Sequence, residues 1–342
     1  MEVFFPPYYH RFQCLAGACP DSCCKEWTVD VDPQAAQYYR QLNGPLGDRL
    51  RQVLTGTPEG TVMTIENGRC PMWRDDGLCR IQAELGHDAL CETCREFPRL
   101  THDYGDFSEL GLELSCPEAA RLILTAEKHS LLAVSQPGGT PPAYDLDVMK
   151  TLRSSRDAVL TFLDNGQCSL PETLAAILLY AHDIQVVLDG FDGVSTSPAD
   201  CLAELCAYRG IGDIGSFIAF FQKLNILTPQ WKFRLSQPPV PVRWTSHLRE
   251  LMRYMILRYW LQTISDLDLI CRAKLAISAC LLVGSLGGDP TETAQLFSKE
   301  IENETFASSD PVTCVKSSFE QDAMNNVVAR AMNENKLLFI ID

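Results

Sequence analysis

The chain has 342 residues, 46% of them hydrophobic, enough to bury one large core or two ordinary ones. Against 44 Asp and Glu stand 29 Lys and Arg, a formal net charge of −15, which argues against nucleic acid as a partner and suits a basic or lysine-bearing one. The uncharged apolar run Leu275–Gly288 is shorter than the roughly 18 to 20 residues that span a bilayer, so no transmembrane segment is expected.

The first residues, MEVFFPPYYHRF, lack a basic stretch followed by an apolar one. Nothing in them routes the chain to an oxidising compartment, and a cytoplasmic location with reduced thiols is the expectation. That matters because Cys14, Cys19, Cys23 and Cys24 follow at once, spaced C-x4-C-x3-C-C with Gly and Pro between them. A Gly/Pro-rich turning loop that aims several sulfurs at one centre is metal chemistry rather than disulfide or core packing, since thiolates are soft ligands for zinc and iron–sulfur centres.

KEWTVDV (25–31) reads as a short strand, and Asp32-Pro33 starts a helix. Residues 34–54 carry apolar residues at helical spacing but are broken by Gly44-Pro45, which predicts two helical pieces. After a turn at 56–60, Thr61–Ile65 reads as a second strand, and Asn67-Gly68 as the hairpin turn that delivers Cys70. Asp75-Asp76-Gly77 is a tight turn that brings Cys70 and Cys79 together. A helical turn over Cys79–Leu85, the C-x2-C pair Cys91/Cys94 and an alternating strand over 107–118 ending on Cys116 complete the pattern. Nine of fifteen cysteines thus lie in the first third of the chain.

SQPGGTPPA (135–143) reads as a linker. Beyond it the period is helical, with helices expected over 145–163, 171–188, 199–208, 216–224, 242–264, 267–286, 292–303 and 312–340. Cys168, Cys201, Cys206, Cys271, Cys280 and Cys314 sit among apolar helical residues and read as packing. Gly210–Gly215 matches G-x-G-x-x-G, but a helix former precedes it and residues 228–242 hold no acid, so it reads as a helix–turn–helix connection rather than a dinucleotide loop. The fold expected is α+β, mostly α. It has a Cys-rich metal domain with short strands (1–134), the linker (135–143) and an all-α domain (144–342).

Four blocks in order, RFQCLAGACPDSCCKEW, CPMWRDDGLCRIQAELG, CETCREFPRLTHDY and LELSCPE, resemble the flagellin lysine N-methylase family, and more distantly small zinc- or iron-chelating proteins with a C-x3-C-x2-C-C domain. The family pattern falls on Cys14, Cys19, Cys23, Cys24, Cys70, Cys79, Cys94 and Cys116, whereas Cys91 looks peculiar to this chain. The resemblance implies methyl transfer from S-adenosylmethionine to lysine ε-amines of flagellin, dependent on a [4Fe–4S] cluster. Zinc is the alternative metal, and a non-catalytic metal-chelating or metal-delivery protein with a helical interaction module is the alternative function. Adjacent cysteines flanked by Arg69, Arg74, Arg80, Arg95 and Arg99 suit a negatively charged cluster. The spacing departs from the C-x3-C-x2-C triad of radical enzymes, which argues against a radical mechanism. For the proton that must leave lysine, His102 is the candidate base or relay, and Tyr104 the candidate for orienting the amine.

Overall fold

The structure, a computed structural model, describes residues 1–25, 27–58, 60–166, 168–192, 197–205, 214–243 and 245–302. The Gly210–Gly215 motif up to residue 213, Cys206, Cys314 and the helix expected over 312–340 lie outside the described residues.

Strand β1 (Glu2–Phe5) is followed, after the cysteine loop, by β2 (Val29–Val31), α1 (Pro33–Gln41), α2 (Gly44–Val53), β3 (Leu54–Thr57) and β4 (Gly60–Met63). The Gly44-Pro45 break separates α1 from α2 as expected. Strands β2, β4 and β3 form a three-stranded antiparallel sheet in that order. Asn67 and Gly68, at φ 52° and 73°, close a two-residue hairpin in which Glu66 and Arg69 exchange both backbone hydrogen bonds, the left-handed turn that Asn-Gly favours. Helices α3 (Arg80–Leu85) and α4 (Glu92–Glu96) come next.

Then come β5 (Arg99–Asp103), β6 (Phe107–Leu112), α5 (Pro117–Leu124) and β7 (Leu132–Ser135). These strands join β1 in a second sheet, ordered β5-β6-β1-β7, with β1 parallel to β6 and antiparallel to β7. The strand expected over 107–118 stops at Leu112. The Glu113 amide there donates to Pro98 O at 2.7 Å, and Pro117, in the first turn of α5, begins a helix where a strand would need its missing N–H.

The remainder is helical among the described residues: α6 (Leu146–Asn165), α7 (Leu170–Leu188), α8 (Pro198–Leu205), α9 (Ile214–Phe221), α10 (Pro229–Ser236), α11 (Ser246–Tyr259), α12 (Leu269–Ser285) and α13 (Pro290–Phe297). Their starts are written in local chemistry. Ser169 and Glu172 form a capping box on α7, and Asp145, Thr228, Thr245, Asp268 and Asp289 cap their own helices, each such cap contributing about 1 kcal/mol. Two expectations need correcting. Helix α10, begun by the Thr228 cap and Pro229, falls between the helices expected over 216–224 and 242–264, where none is expected. The helix expected from 242 starts only after the Thr245 cap and tightens into a 3-10 stretch over Trp260–Ser265.

Apolar packing does not follow the chain-order division at 135–143. One large core joins Phe5, Phe107, Leu114 and Ile123 to Leu152, Met255, Trp260 and Phe297. A smaller one collects Val29, Tyr39, Leu50, Met63, Met72, Leu90 and Cys91. The segment between β7 and α6 crosses the strand ends of the second sheet, where Gln136 O and Gly138 O accept from the N-terminal amine and the Thr140 amide donates to Gly105 O. Glu109 of β6 and Arg156 of α6 form a bidentate buried pair at 2.7 and 2.8 Å, fixing the sheet to the helices. No helix among the described residues is long and apolar enough to cross a membrane.

Candidate metal centre

The loop from Cys14 to Cys24 has little regular structure beyond one 3-10 turn, Ala16–Ala18. It is held by its neighbours. Cys24 O accepts from the Cys70 amide at 2.8 Å. Gly17 lies against the turn of the following hairpin, where a Cβ on Gly17 would stand 3.0 Å from Asp76 O. In that hairpin Arg74 N donates to Leu78 O, Gly77 takes φ +80°, and Trp73 pairs with Cys79. The Asp75-Asp76-Gly77 turn therefore brings the Cys70 and Cys79 arms together as its sequence predicts.

Three more sulfurs stand at helix starts, because Cys79, Cys91 and Cys116 are the N-cap residues of α3, α4 and α5. None closes a formal capping hydrogen bond. Burial raises the Cys79 and Cys116 thiols, the latter to about 11, while nearby helix amides pull the other way. Asp32 ties this region together: Oδ1 caps α1 through the Ala35 amide at 2.9 Å, and Oδ2 accepts the Glu92 amide at 2.8 Å from the start of α4. Those two amides hold its carboxyl below the usual range.

The nine thiols of residues 14–116 gather into one belt. In its middle, Cys23 and Cys70 neighbour Cys24, and the coupling among the three holds Cys24 well below the ordinary thiol range and pushes Cys23 and Cys70 above it, while the Cys70 thiol donates to Met63 Sδ at 3.6 Å. Cys94 neighbours Cys91, and their coupling lowers the Cys91 thiol and raises that of Cys94. The charge of a neighbouring Cys14 adds to the cost of ionising Cys19, Cys23 and Cys116, and Cys19 and Cys116 act likewise on Cys116 and Cys23 respectively. Cys79 adjoins Cys24 and Cys91. All eight sulfurs named from the sequence are thus in the belt, together with Cys91. Eight matched the resemblance and Cys91 did not, yet its residue is only 2% exposed and its C-x2-C spacing to Cys94 is the signal that could have included it. The thirteen described cysteines are all free thiols. Cys201, Cys271 and Cys280 are buried in the large core.

Nine neighbouring soft donors suit a thiolate-bound metal in chemistry. Among the described residues, however, no three Cys, His, Asp or Glu stand ready as the cage of a single ion. The flanking arginines are engaged locally: Arg74 with Asp76 at 2.6 Å, Arg80 with Glu84, Arg95 with Glu96, and Arg69 over the Trp73 ring at 4.4 Å.

His102 and Tyr104 lie at the end of β5. His102 lines a small cleft with Tyr8, Glu109, Tyr254 and Arg258. Burial, with the Arg258 charge adding to it, lowers its pKa to about 4, and Gln262 Nε2 lies 3.5 Å from its Nε2. No thiol lines that cleft. Tyr104 does not line it either; its ring stacks on Phe107 at 4.7 Å.

Comparison with known proteins finds similarity over 137 residues, 36% of this chain. Over that length it is 32% identical to a lysine-N-methylase of Salmonella typhimurium and 31% identical to one of Salmonella choleraesuis, in each case covering 33% of the relative. It is 31% identical to the flagellar biosynthetic protein FliU of Salmonella muenchen, covering 78% of it. The match thus spans a third of the length of the two methylases. No protein-family profile matches the chain, and no solved structure does.

Proposed function

From a chain that belongs to the flagellin lysine N-methylase family, we propose a protein lysine N-methyltransferase that takes its methyl group from S-adenosylmethionine, acts on flagellin, and needs a thiolate-bound metal centre. The observation that carries the reading is the 31% identity over 78% of FliU, set beside the two relatives named lysine-N-methylase.

In this reading Cys14, Cys19, Cys23, Cys24, Cys70, Cys79, Cys94 and Cys116 hold the metal, with Cys91 as a ninth donor inside the belt. A [4Fe–4S] cluster would take four of these thiolates and would supply a compact charged anchor that joins distant chain segments. An ε-ammonium has no lone pair and an ordinary pKa near 10.4. The lysine nitrogen must therefore lose its proton before it forms the N–C bond and the sulfonium S–C bond breaks. His102 is the residue we assign to that proton. At a pKa of about 4 it is too weak a base to hold a proton taken from an ε-ammonium, so in this reading it hands that proton to solvent water as the lysine is desolvated. An acidic chain surface suits the approach of a lysine-bearing protein.

The test is incubation of anaerobically purified protein with flagellin and S-adenosylmethionine carrying a labelled methyl group, read by mass spectrometry of flagellin lysines. Labelled methyl-lysine supports the reading. Its absence from a metal-loaded preparation contradicts it and favours metal chelation or delivery without catalysis.

A further inference from the structure

Asp21 lies in the cysteine loop, two residues after Cys19 and two before Cys23, and its backbone oxygen accepts the Cys19 thiol at 3.3 Å. Its carboxylate is held from the far end of the described chain. Lys299 Nζ lies 3.0 and 3.2 Å from the two Asp21 oxygens, and Gln295 Nε2 donates to Oδ2 at 2.9 Å. The same Gln295 nitrogen donates to Ser115 O at 2.8 Å, and Ser115 precedes Cys116. Gln295 on α13 and Lys299 just after it are one helical turn apart and are 4% and 1% exposed. A single helical stretch therefore grips both the loop that carries Cys19 and Cys23 and the residue beside Cys116.

The burial is what makes this grip informative. An ammonium removed from water is strongly disfavoured unless it is paired, so a lysine at this depth calls for a carboxylate partner. The carboxylate it meets belongs to a loop that is mostly exposed and almost without secondary structure. Such a loop loses entropy when fixed, and needs anchors to keep its sulfurs in place. Lys25 lies 3.6 Å from the same carboxylate, and Lys299 also reaches the face of Trp27 at 5.8 Å, so the grip extends to the residues that follow Cys24.

We infer that Lys299 and Gln295 are positioning residues for the thiol belt: by clamping Asp21 and Ser115 to one helix they hold Cys19 and Cys23 beside Cys116. The metal-loading part of this inference rests on the proposed centre, while the placement of the thiols does not.

The experiment uses the full chain, reduced and freed of metal, with iodoacetamide as the probe and the alkylation rate of each cysteine read by mass spectrometry. Lys299→Met removes the ammonium, and the Asp21→Ala/Lys299→Met double variant removes both charges without stranding either one in the interior. Local release of the loop should raise alkylation of Cys19 and of the buried Cys116 about tenfold and leave Cys70 and Cys91 within about twofold. General unfolding would raise all four together. On anaerobic loading with iron and sulfide, the variants should take up less than half of the parent's metal and show weakened visible absorption. Unchanged alkylation in a folded double variant overturns the inference, whatever the parent binds. Selective alkylation with a parent that binds no metal sustains the positioning and overturns the proposed centre instead.

Discussion

Gly77 meets Gly17 backbone to backbone: a methyl group added at Gly77 would stand 3.1 Å from Gly17 Cα, and Gly77 itself takes φ +80°. The contact locks the hairpin between Cys70 and Cys79 onto the loop that carries Cys14 and Cys19. Gly77→Ala suffers twice, from a left-handed backbone that disfavours a Cβ and from a neighbour that is main chain and cannot swing away. It should cost about 1–3 kcal/mol in urea unfolding. A loss below about 0.5 kcal/mol, the size of an ordinary surface change, would show that the two loops do not depend on this contact.

The parts of this architecture that are legible in sequence are those fixed by local chemistry. Pro33, the Gly44-Pro45 break, Asn67-Gly68 and Asp75-Asp76-Gly77 each impose a backbone conformation within a few residues, and each appears where it is expected. Strands β1 and β7 were illegible because their pairing is long-range: Glu2 pairs with Phe107 on one side and Ser135 on the other. Cys91 was passed over because it lay outside the matched pattern, although it is buried within the belt. The Asp21–Lys299 clamp could not be read at all, since residues 278 positions apart share no local signal.

The sheet is joined to the helices through a buried ion pair, Glu109 with Arg156 at 2.7 and 2.8 Å, both side chains under 10% exposed. Removing one partner leaves the other charge uncompensated. Arg156→Met and Glu109→Gln should each destabilise the protein by about 3–5 kcal/mol, while the double variant should lose less than the sum of the two. Additive losses in chemical denaturation would mean that the two side chains act independently.

His102 gives the protein an acid sensitivity whose sign is fixed by its environment. Its folded pKa is lowered to about 4, first by burial and then by Arg258, whereas in the unfolded chain it returns to about 6.5. Its contribution is therefore fully present above about pH 6.5 and is lost as pH falls towards 4, because only the unfolded chain takes up the proton in that window. On going from pH 7 to pH 5, His102→Gln should lose about 1–2 kcal/mol less stability than the parent. Equal losses in parallel urea titrations would place His102 in water rather than in the cleft.

Cys91 should behave as a member of the belt and Cys168 should not. After anaerobic purification, Cys91→Ser should retain clearly less metal than the parent, in the direction of Cys24→Ser, while Cys168→Ser should match the parent in metal content and visible absorption. Full retention in Cys91→Ser would return that thiol to simple packing beside Tyr39.

The central claim, that lysine methylation by this chain depends on a metal held by the thiol belt, is tested most directly by following one preparation through removal and return of the metal. Labelled methyl transfer from S-adenosylmethionine to flagellin lysine is measured on anaerobically purified protein, after chelation, and after reconstitution with iron and sulfide or with zinc. The protein should be brown and active, lose colour and transfer together on chelation, and recover both with iron and sulfide. Undiminished transfer by the metal-free chain would contradict that dependence.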